Sequence, residues 1–451
     1  MDTLRPVDPS HEEVVRSLAE QGVGYVLGSW VDILGRARAK ATPIKRLPEL
    51  LGGFARYTPR GICGIGTMNP VEEEVTSLPD LDTLTVLPWD TRFAWMAADM
   101  WSDKGEPFEL CPRSILKRQV EKAREQGYTA TLGVEPEFYV FRPESLGKEA
   151  SHLIPVTPSA YVKPSPAYDV ETLLDTADFL QRLVEYMPGI GLEAYGMGVE
   201  GGEGQYEIDF YYKSVLEMAD RMVLFRLMTH QVAKQFGLCA TYMPKPYETV
   251  WGSGNHFNMG LYHATGEQKS ALRDGKRFTA ECRAFTSGIL KHARALTALS
   301  NPLVNSYRRL VPRLMDGSVS WAPIKISYGH NNRSCMIRWP ENRPCIENRS
   351  VDPAANPYLV AAFMLAAGME GIRENLDAGP PNDTLTYADR NIANLPRSLV
   401  DAVEAFEQDP LVHEVFAPGF IRDYVDTKRQ EWEQANLPVP QRERDEYLLH
   451  V

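Results

Sequence analysis

Residues 133–138 read Gly-Val-Glu-Pro-Glu-Phe, and they mark a strand predicted over 130–141 that carries two carboxylates on one face. Side chains alternate along a strand, so Glu135 and Glu137 point to the same side, roughly 6–7 Å apart. Two acids this close repel each other unless a cation separates them, and hard divalent cations bind carboxylate oxygens. The segment therefore predicts a metal site, although by itself it also fits a solvated strand face.

A second acidic segment, EGGEGQYEID at 200–209, has the same character. It predicts a strand in which Glu207 shares one face with Gln205 and Asp209. The glycines before this strand allow the chain to turn, so that Glu200 folds back beside it. The alternative interpretation is an acidic turn followed by an edge strand.

Histidine and arginine motifs follow in the second half of the chain. Glycines precede His256 in GSGNHFN at 252–258, which predicts a loop whose backbone approaches a ligand, although a lone histidine is more often structural. The forked guanidinium group of arginine suits carboxylate and phosphate oxygens. Arginines recur in NSYRRLVP at 305–312, NRSCMIR at 332–338 and IENRSVDPAANPYL at 346–359. Any single arginine fits ordinary surface pairing. Together the motifs indicate two metals, a nucleoside triphosphate and a carboxylate substrate.

The composition excludes several classes of protein. The 451 residues, 43% hydrophobic and 24% charged, are typical of a globular chain with two or three domains. A net charge of −12 argues against nucleic-acid or anionic-membrane partners. Six scattered cysteines and a polar N-terminus predict a reduced, cytoplasmic protein. The absence of P-loop and Rossmann motifs disfavours those nucleotide-binding folds.

The predicted secondary structure changes near residue 108. Short strands and turns are predicted before it, including strands at 25–31 and 83–87, and longer elements after it. We therefore expect two domains, 1–107 and 108–451, the second of the α+β class. Apolar spacing and capping residues predict a strand at 204–212 and helices over 112–127, 171–187, 214–237, 278–300 and 358–371.

The six motifs, in this order, resemble those of the glutamine synthetase superfamily over nearly the whole chain. The similarity is strongest to the branch that contains γ-glutamylmethylamide synthetase and type III-like enzymes, as in SYGHNNR at 327–333. The resemblance implies an α+β fold: a small N-terminal β-grasp domain, then a catalytic domain whose curved antiparallel sheet is flanked by helices. It also implies self-association into rings, expected as a double-ring dodecamer, in which the N-terminal domain completes a neighbour's active site.

The resemblance further implies ATP as co-substrate and two or more Mg²⁺ or Mn²⁺ ions. The ion beside glutamate and the transferring phosphoryl group would be held by Glu137, Glu200 and Glu207. The ion on the nucleotide phosphates would be held by Glu135, His256 and Glu347.

Substrate contacts are implied in the same way. Glutamate would be bound by Arg309, Arg349 and the backbone of Gly252. Arg333 and Arg338 would contact the phosphates and the acyl-phosphate intermediate. The resemblance also implies a catalytic role for Arg309 and Arg338. Asn258 replaces a second histidine of the family, beside the nucleotide.

Departures from the family pattern bear on the amine. Ammonia-using members have Asp-Gly-Ser-Ser in the β-grasp domain, where this chain has CGIG at 63–66, so Cys63 and Ile65 are expected to line a less charged pocket. The flap glutamate after the Leu-Val-Pro motif is also replaced, by RLMD at 313–316. Asp32, Asp316 and Glu200 are the candidate proton acceptors.

These observations predict an ATP-dependent ligase that joins the γ-carboxylate of glutamate to a small amine through γ-glutamyl phosphate. A small alkylamine such as methylamine is expected, because an apolar pocket favours a substituent over hydrated ammonium. Two alternatives remain: a glutamine synthetase that uses ammonia, and a ring-forming relative without catalysis.

Overall fold

The strands form two main sheets in a computed structural model that describes residues 3–63, 71–146, 156, 166–264 and 269–449. In chain order the strands are β1 (Tyr25–Val31), β2 (Ala37–Arg38), β3 (Ala41–Pro43), β4 (Arg56–Tyr57), β5 (Val75–Pro79), β6 (Thr85–Val86), β7 (Phe93–Ser102), β8 (Tyr128–Phe141), β9 (Ala194–Val199), β10 (Gln205–Phe210), β11 (Lys213–Ser214), β12 (Cys239–Thr241), β13 (Asn255–His263), β14 (Arg273–Asp274), β15 (Arg277–Phe278), β16 (Tyr328–His330), β17 (Ile337–Trp339) and β18 (Ile346–Asn348).

Helices pack against both sheets, and among the described elements only helices follow β18. They are α1 (His11–Glu20), α2 (Leu47–Leu51), α3 (Pro59–Cys63), α4 (Pro112–Glu125), α5 (Val170–Asp175), α6 (Ala177–Tyr186), α7 (Val215–Gln235), α8 (Ala280–Lys291), α9 (Ala293–Ser300), α10 (Ser306–Arg309), α11 (Pro357–Arg373), α12 (Leu399–Gln408), α13 (Pro410–Val415), α14 (Pro418–Asn436) and α15 (Gln441–Tyr447). Within the described residues, no helix is long and apolar enough to cross a membrane.

The N-terminal sheet has the order β2-β1-β7-β5-β4, with β3 also paired to β1 and β6 to β7. Its β1 and β7 run parallel, and the other pairs are antiparallel. The strand predicted at 25–31 is confirmed as β1. The strand predicted at 83–87 is shorter, because a 3-10 turn occupies Leu81–Thr83. These strands match the β-grasp-like start expected of the fold.

The second sheet has the order β16-β17-β18-β13-β8-β10-β9, with β11 and β12 added at opposite ends of the long β8. All pairs are antiparallel except β16 with β17. On one face of β8, Val134, Phe138 and Val140 are buried in the core, as their alternation with the acids predicts. The predicted α+β class with an antiparallel catalytic sheet is confirmed, and β10 is an interior strand rather than an edge.

Capping residues set the ends of the helices that carry the sheet. The Ser214 side chain accepts a hydrogen bond from the N–H of Glu217 and begins α7, as the sequence predicts. Asn356 caps α11 in the same way. The Nδ2 of Asn356 also donates to the Asp32 carbonyl oxygen at 3.0 Å, so this cap ties the N-terminal sheet to the catalytic part.

Two predicted helices are each divided in two. The segment predicted at 171–187 breaks at Thr176, and the segment at 278–300 breaks at His292. At the second break the His292 side chain lies between Asp409 and Glu370, so a tertiary contact overrides the continuous apolar pattern. Apolar spacing alone does not register such a break.

The two sheets are joined through a buried arginine at the start of α4. The Arg113 guanidinium lies 2.8 Å from an Asp80 oxygen, 3.3 Å from Asp99 and 2.9 Å from Asp220. Asp80 and Asp99 belong to the N-terminal part, and Asp220 lies on α7. This contact packs the two parts closely together. The domain boundary near residue 108 stays a prediction.

Candidate functional site

Strand register places the predicted ligands in one stripe across four neighbouring strands. Glu207 of β10 lies opposite Glu137 of β8, and Glu135 of β8 lies opposite His256 of β13. The stripe continues to β18, where Glu347 lies opposite Asn258 of β13. Since paired residues in a sheet point to the same face, acids separated by more than 200 residues in sequence converge.

The ligand atoms within this stripe lie close together. One such atom from each of Glu135, Glu207 and His256 lies within 4.8 Å of the others. The imidazole of His256 also approaches other acids, with 3.9 Å from its Nε2 to a Glu137 oxygen and 3.8 Å from its Nδ1 to a Glu347 oxygen. Five of the six predicted metal ligands therefore lie together: the imidazole of His256 and the four carboxylates around it.

The electrostatics of the cluster fit bound cations. Burial, followed by the charge of Glu137, raises the pKa of Glu200 to about 8. Burial and the neighbouring carboxylates Glu137 and Glu135 raise the pKa of Glu207 well above its ordinary value. Carboxylates that repel each other in this way, beside an imidazole, fit divalent cations, which would neutralise the repulsion. The charge of Glu137 therefore acts on Glu200, and the role of Glu200 as a metal ligand stays a prediction.

Arginines neutralise the other end of the stripe. Glu347 is fully buried, and each of its carboxylate oxygens lies 2.6 Å from an arginine, one from Arg338 and one from Arg349. Burial opposes its charged form, but Arg349 and His256 lower the pKa of Glu347 below the ordinary value. Glu135 is similar: burial is outweighed by His256 and Arg343, so its pKa is low. These two acids are ionised throughout the physiological range.

Backbone and amide donors hold Glu137 in place. Its Oε2 accepts from the N–H of Gly254 at 2.7 Å and from Nε2 of Gln205 at 3.1 Å. The same Gln205 amide also donates to the Gly252 carbonyl oxygen at 3.2 Å. The sequence predicts that Gln205 shares the strand face of Glu207, but it assigns no role to this amide. Its position shows that it fixes the loop before β13 to the acidic stripe.

The predicted substrate arginines converge beside the stripe. Arg309 is buried and donates to the carbonyl oxygens of Ser350 and Arg349, at 2.8 and 3.0 Å. Arg349 in turn donates from Nε to the Arg333 carbonyl oxygen at 3.1 Å. The Arg333 side chain itself is exposed. The structure brings these arginines together, and their contacts with glutamate and phosphate stay predictions.

Arg343 is a site residue that sequence reasoning missed. Its Nη1 lies 2.6 Å from a Glu135 oxygen, and its Nη2 lies 4.0 Å from Glu347. It belongs to no recognised motif, because it stands in the short loop between β17 and β18. The only available signal was an arginine four residues before Glu347, between two motifs whose strands pair.

A cavity of about 370 Å³ opens beside Glu135. Its polar lining includes Arg343 and Asn258, and Asn258 donates to a Glu135 oxygen at 3.2 Å. Five aromatic residues also line it, namely Tyr195, Phe210, Tyr211, Tyr212 and Tyr262. Flat aromatic faces next to cationic and carboxylate groups suit a heteroaromatic base with an attached polyphosphate.

The predicted proton acceptors in the N-terminal part and the flap lie in local turns. The Asp32 carboxylate accepts from the N–H groups of Leu34 and Arg36, at 3.0 and 2.9 Å, and from Arg38. Asp316 is exposed and accepts from Ser318. Among the described residues, no hydrogen bond or ion pair joins either carboxylate to the acidic stripe. Ile65 and the Cys63 side chain lie outside the described residues, although Cys63 ends α3.

Comparisons with known proteins agree with this geometry. Residues 109–447 match the family model of the glutamine synthetase catalytic domain. The chain is 34% identical to a glutamine synthetase of Rhizobium meliloti, over 92% of this chain and 94% of that protein. It is 33% identical to a glutamate–methylamine ligase of Methyloversatilis universalis, over 97% and 99%. A solved GmaS–ADP complex superposes with a TM-score of 0.88 at 31% identity, covering 98% of this chain and 100% of that one.

Proposed function

Since this chain belongs to the glutamine synthetase family, we propose that it joins the γ-carboxylate of glutamate to a small alkylamine such as methylamine. The chain is a carbon–nitrogen ligase of the glutamate–amine type, and its catalytic domain implies the use of ATP and a divalent metal. The non-catalytic alternative is therefore set aside. The observation that carries the proposal is the stripe of carboxylates around His256.

The resemblance to the family divides the six acidic and histidine side chains between two metal positions. Glu135, His256 and Glu347 would hold one Mg²⁺ or Mn²⁺, and Glu137, Glu200 and Glu207 the other. When bound, such ions neutralise phosphoryl charge and align the reacting groups. The chain contributes positioning and electrostatics, because its carboxylates are fixed by strand register and by donors such as the Gly254 N–H.

The remaining site residues divide between the two substrates. The cavity beside Glu135 would take the nucleotide, with Arg343, Arg338 and Asn258 towards its phosphates. Arg309, Arg349 and the Gly252 backbone would hold glutamate. An oxygen of the γ-carboxylate then attacks the γ-phosphorus and ADP leaves. An alkylammonium ion first gives up one proton; the neutral amine nitrogen then attacks the acyl phosphate, phosphate leaves, and a second proton is lost, with Asp32, Asp316 and Glu200 as the candidate proton acceptors.

The choice of an alkylamine has two supports. The loop at 63–66 carries no carboxylate where the resemblance places an aspartate in ammonia-using members, and the segment RLMD at 313–316 replaces their flap glutamate. Burying a small hydrated cation without such a partner costs several kcal/mol, on the order of the penalty for a buried unpaired charge. Among similar proteins, the methylamine ligase and two GmaS structures align over nearly the whole chain.

Glutamine synthesis from ammonia is the second candidate, favoured by the relatives of 31–34% identity that are named glutamine synthetase. The test is kcat/KM for ammonia, methylamine, ethylamine, isopropylamine and aniline with saturating ATP and glutamate. We expect an alkylamine to exceed ammonia by about tenfold. A tenfold preference for ammonia over every amine would replace the proposal by glutamine synthesis. Cys63→Asp should shift the ratio towards ammonia if that loop lines the amine site.

Assembly is the last part of the proposal. We infer that the subunits form rings, as a double-ring dodecamer, in which the N-terminal part of one subunit completes the site of the next. The support for this model is the resemblance to the family; in its own subunit the buried Asp32 carboxylate accepts from the N–H groups of Leu34 and Arg36.

A further inference from the structure

Trp251 lies immediately before Gly252, and its indole packs on the turn that carries Glu200. A Cβ on Gly201 would lie 2.6 Å from Cδ2, 2.8 Å from Cε2 and 3.0 Å from Cε3 of Trp251. These three atoms belong to the six-membered ring of the indole, so that ring lies directly on the Gly201 α-carbon. Only glycine leaves room for this contact.

The backbone of Trp251 is fixed as firmly as its ring. Its carbonyl oxygen accepts from Oη of the buried Tyr139 at 2.7 Å. The next residue, Gly252, accepts from Gln205, which also holds Glu137. The indole is nevertheless only partly buried. It therefore presents a rigid apolar surface beside the first residue of the acidic turn, Glu200.

We propose that the Trp251 indole is the apolar wall of the amine-binding site and sets the preference for alkylamines over ammonia. This inference rests on the proposed function and adds a specificity-determining residue to it. With the amine nitrogen towards the acidic cluster, its alkyl group would lie on the indole and lose contact with water. Ammonia has no such group and gains nothing from this wall. Each methylene buried there should raise kcat/KM about fourfold.

The test compares amine selectivity in Trp251 variants of the full-length enzyme. Trp251→Gln should lower the methylamine-to-ammonia ratio of kcat/KM about fourfold and the ethylamine-to-ammonia ratio roughly fifteenfold. Trp251→Phe keeps an aromatic wall and should hold both ratios within about twofold. The KM for ATP should not change. Trp432→Gln, which alters a partly buried tryptophan of α14, is the matched control and should leave both ratios unchanged.

A purely structural role would lower kcat/KM for all amines by the same factor, and that result would overturn the inference. If wild-type enzyme prefers ammonia, the proposed function fails instead. If Trp251→Gln does not fold, Trp251→Leu gives an independent test. It keeps an apolar wall with less volume, so the best substrate should become a longer amine, and an unchanged order of amines would also overturn the inference.

Discussion

Gly254 occupies the tightest point of the acidic cluster. Its N–H donates to Glu137 at 2.7 Å, and a Cβ there would lie 2.6 Å from Nε2 of His256 and 3.0 Å from Nη2 of Arg309. The side chains of His256, Arg309 and Glu137 would have to move to admit one methyl group. A displacement of this size at preorganised groups is enough to remove most of the rate.

We expect Gly254→Ala to lower kcat/KM on the order of 100-fold while the enzyme remains folded. Gly198→Ala is the matched control, because it lies in β9 of the same sheet and a Cβ there meets no atom within 4 Å. Steady-state kinetics and circular dichroism distinguish the two. Normal activity in Gly254→Ala would show that the cluster is looser than its geometry implies.

Glu207 should show a conflict between function and stability. Its pKa is raised in the folded protein by burial, Glu137 and Glu135, so ionisation destabilises the metal-free fold as pH rises above the ordinary value of 4.5. Glu207→Gln removes that charge. We expect it to raise Tm at pH 8 in chelator and to lower turnover roughly 100-fold or more.

Thermal unfolding of metal-free protein at pH 5 and pH 8, with activity in Mg²⁺ or Mn²⁺, measures both effects. Glu217→Gln is the control, since Glu217 stands in the first turn of α7 and pairs with Lys213 at 3.2 Å. A variant that is both less stable at pH 8 and fully active would contradict the metal assignment. Undiminished activity of wild-type enzyme in excess chelator would contradict it as well.

At the scale of elements, a charged cluster joins the α8–α9 break to α11 and α13. The two ring nitrogens of His292 face Asp409 and Glu370, and Lys291 Nζ lies 3.2 Å from Glu370. Glu374 and Arg373 complete the charged groups around Glu370. Burial opposes the charging of His292, but the hydrogen bonds that the protonated ring donates to Asp409 and Glu370 raise its pKa.

This cluster predicts a pH-dependent contribution to stability. A raised histidine pKa stabilises the folded state fully below the ordinary value of 6.5, and the contribution is lost as pH rises through the folded-state value. His292→Gln should therefore cost roughly 3 kcal/mol near pH 6 and less at pH 9. Urea unfolding at both pH values measures the difference. His413→Gln, at an exposed histidine of α13, should cost little at either pH, and an equal cost of His292→Gln at both would refute the prediction.

At the scale of the molecule, the prediction concerns assembly. If the N-terminal part completes a neighbouring site, light scattering should give a particle far larger than a dimer, and dilution to monomers should remove activity. Mixing inactive Glu137→Ala subunits with subunits inactivated in the 32–36 turn should restore part of the activity, because mixed rings contain some intact sites. An active monomer, or mixtures that stay inactive, would refute the shared site.

Local sequence was sufficient for much of this molecule. The alternation of residues along β8 and β10 placed Glu135, Glu137 and Glu207 on polar faces opposite a buried core, because a strand has a period of two. Caps such as Ser214 located helix ends, since a side chain satisfies nearby backbone donors. The order of six motifs indicated the family and its fold.

Contacts between distant segments were decided only by tertiary structure. Arg343 beside Glu135, Trp251 on Gly201, and His292 between Asp409 and Glu370 each join residues whose own neighbourhoods in sequence carry no sign of the partner. Their meeting depends on strand order, register and helix packing. The free energy of such contacts comes from burial and charge shared between segments, and no periodicity within one segment encodes it.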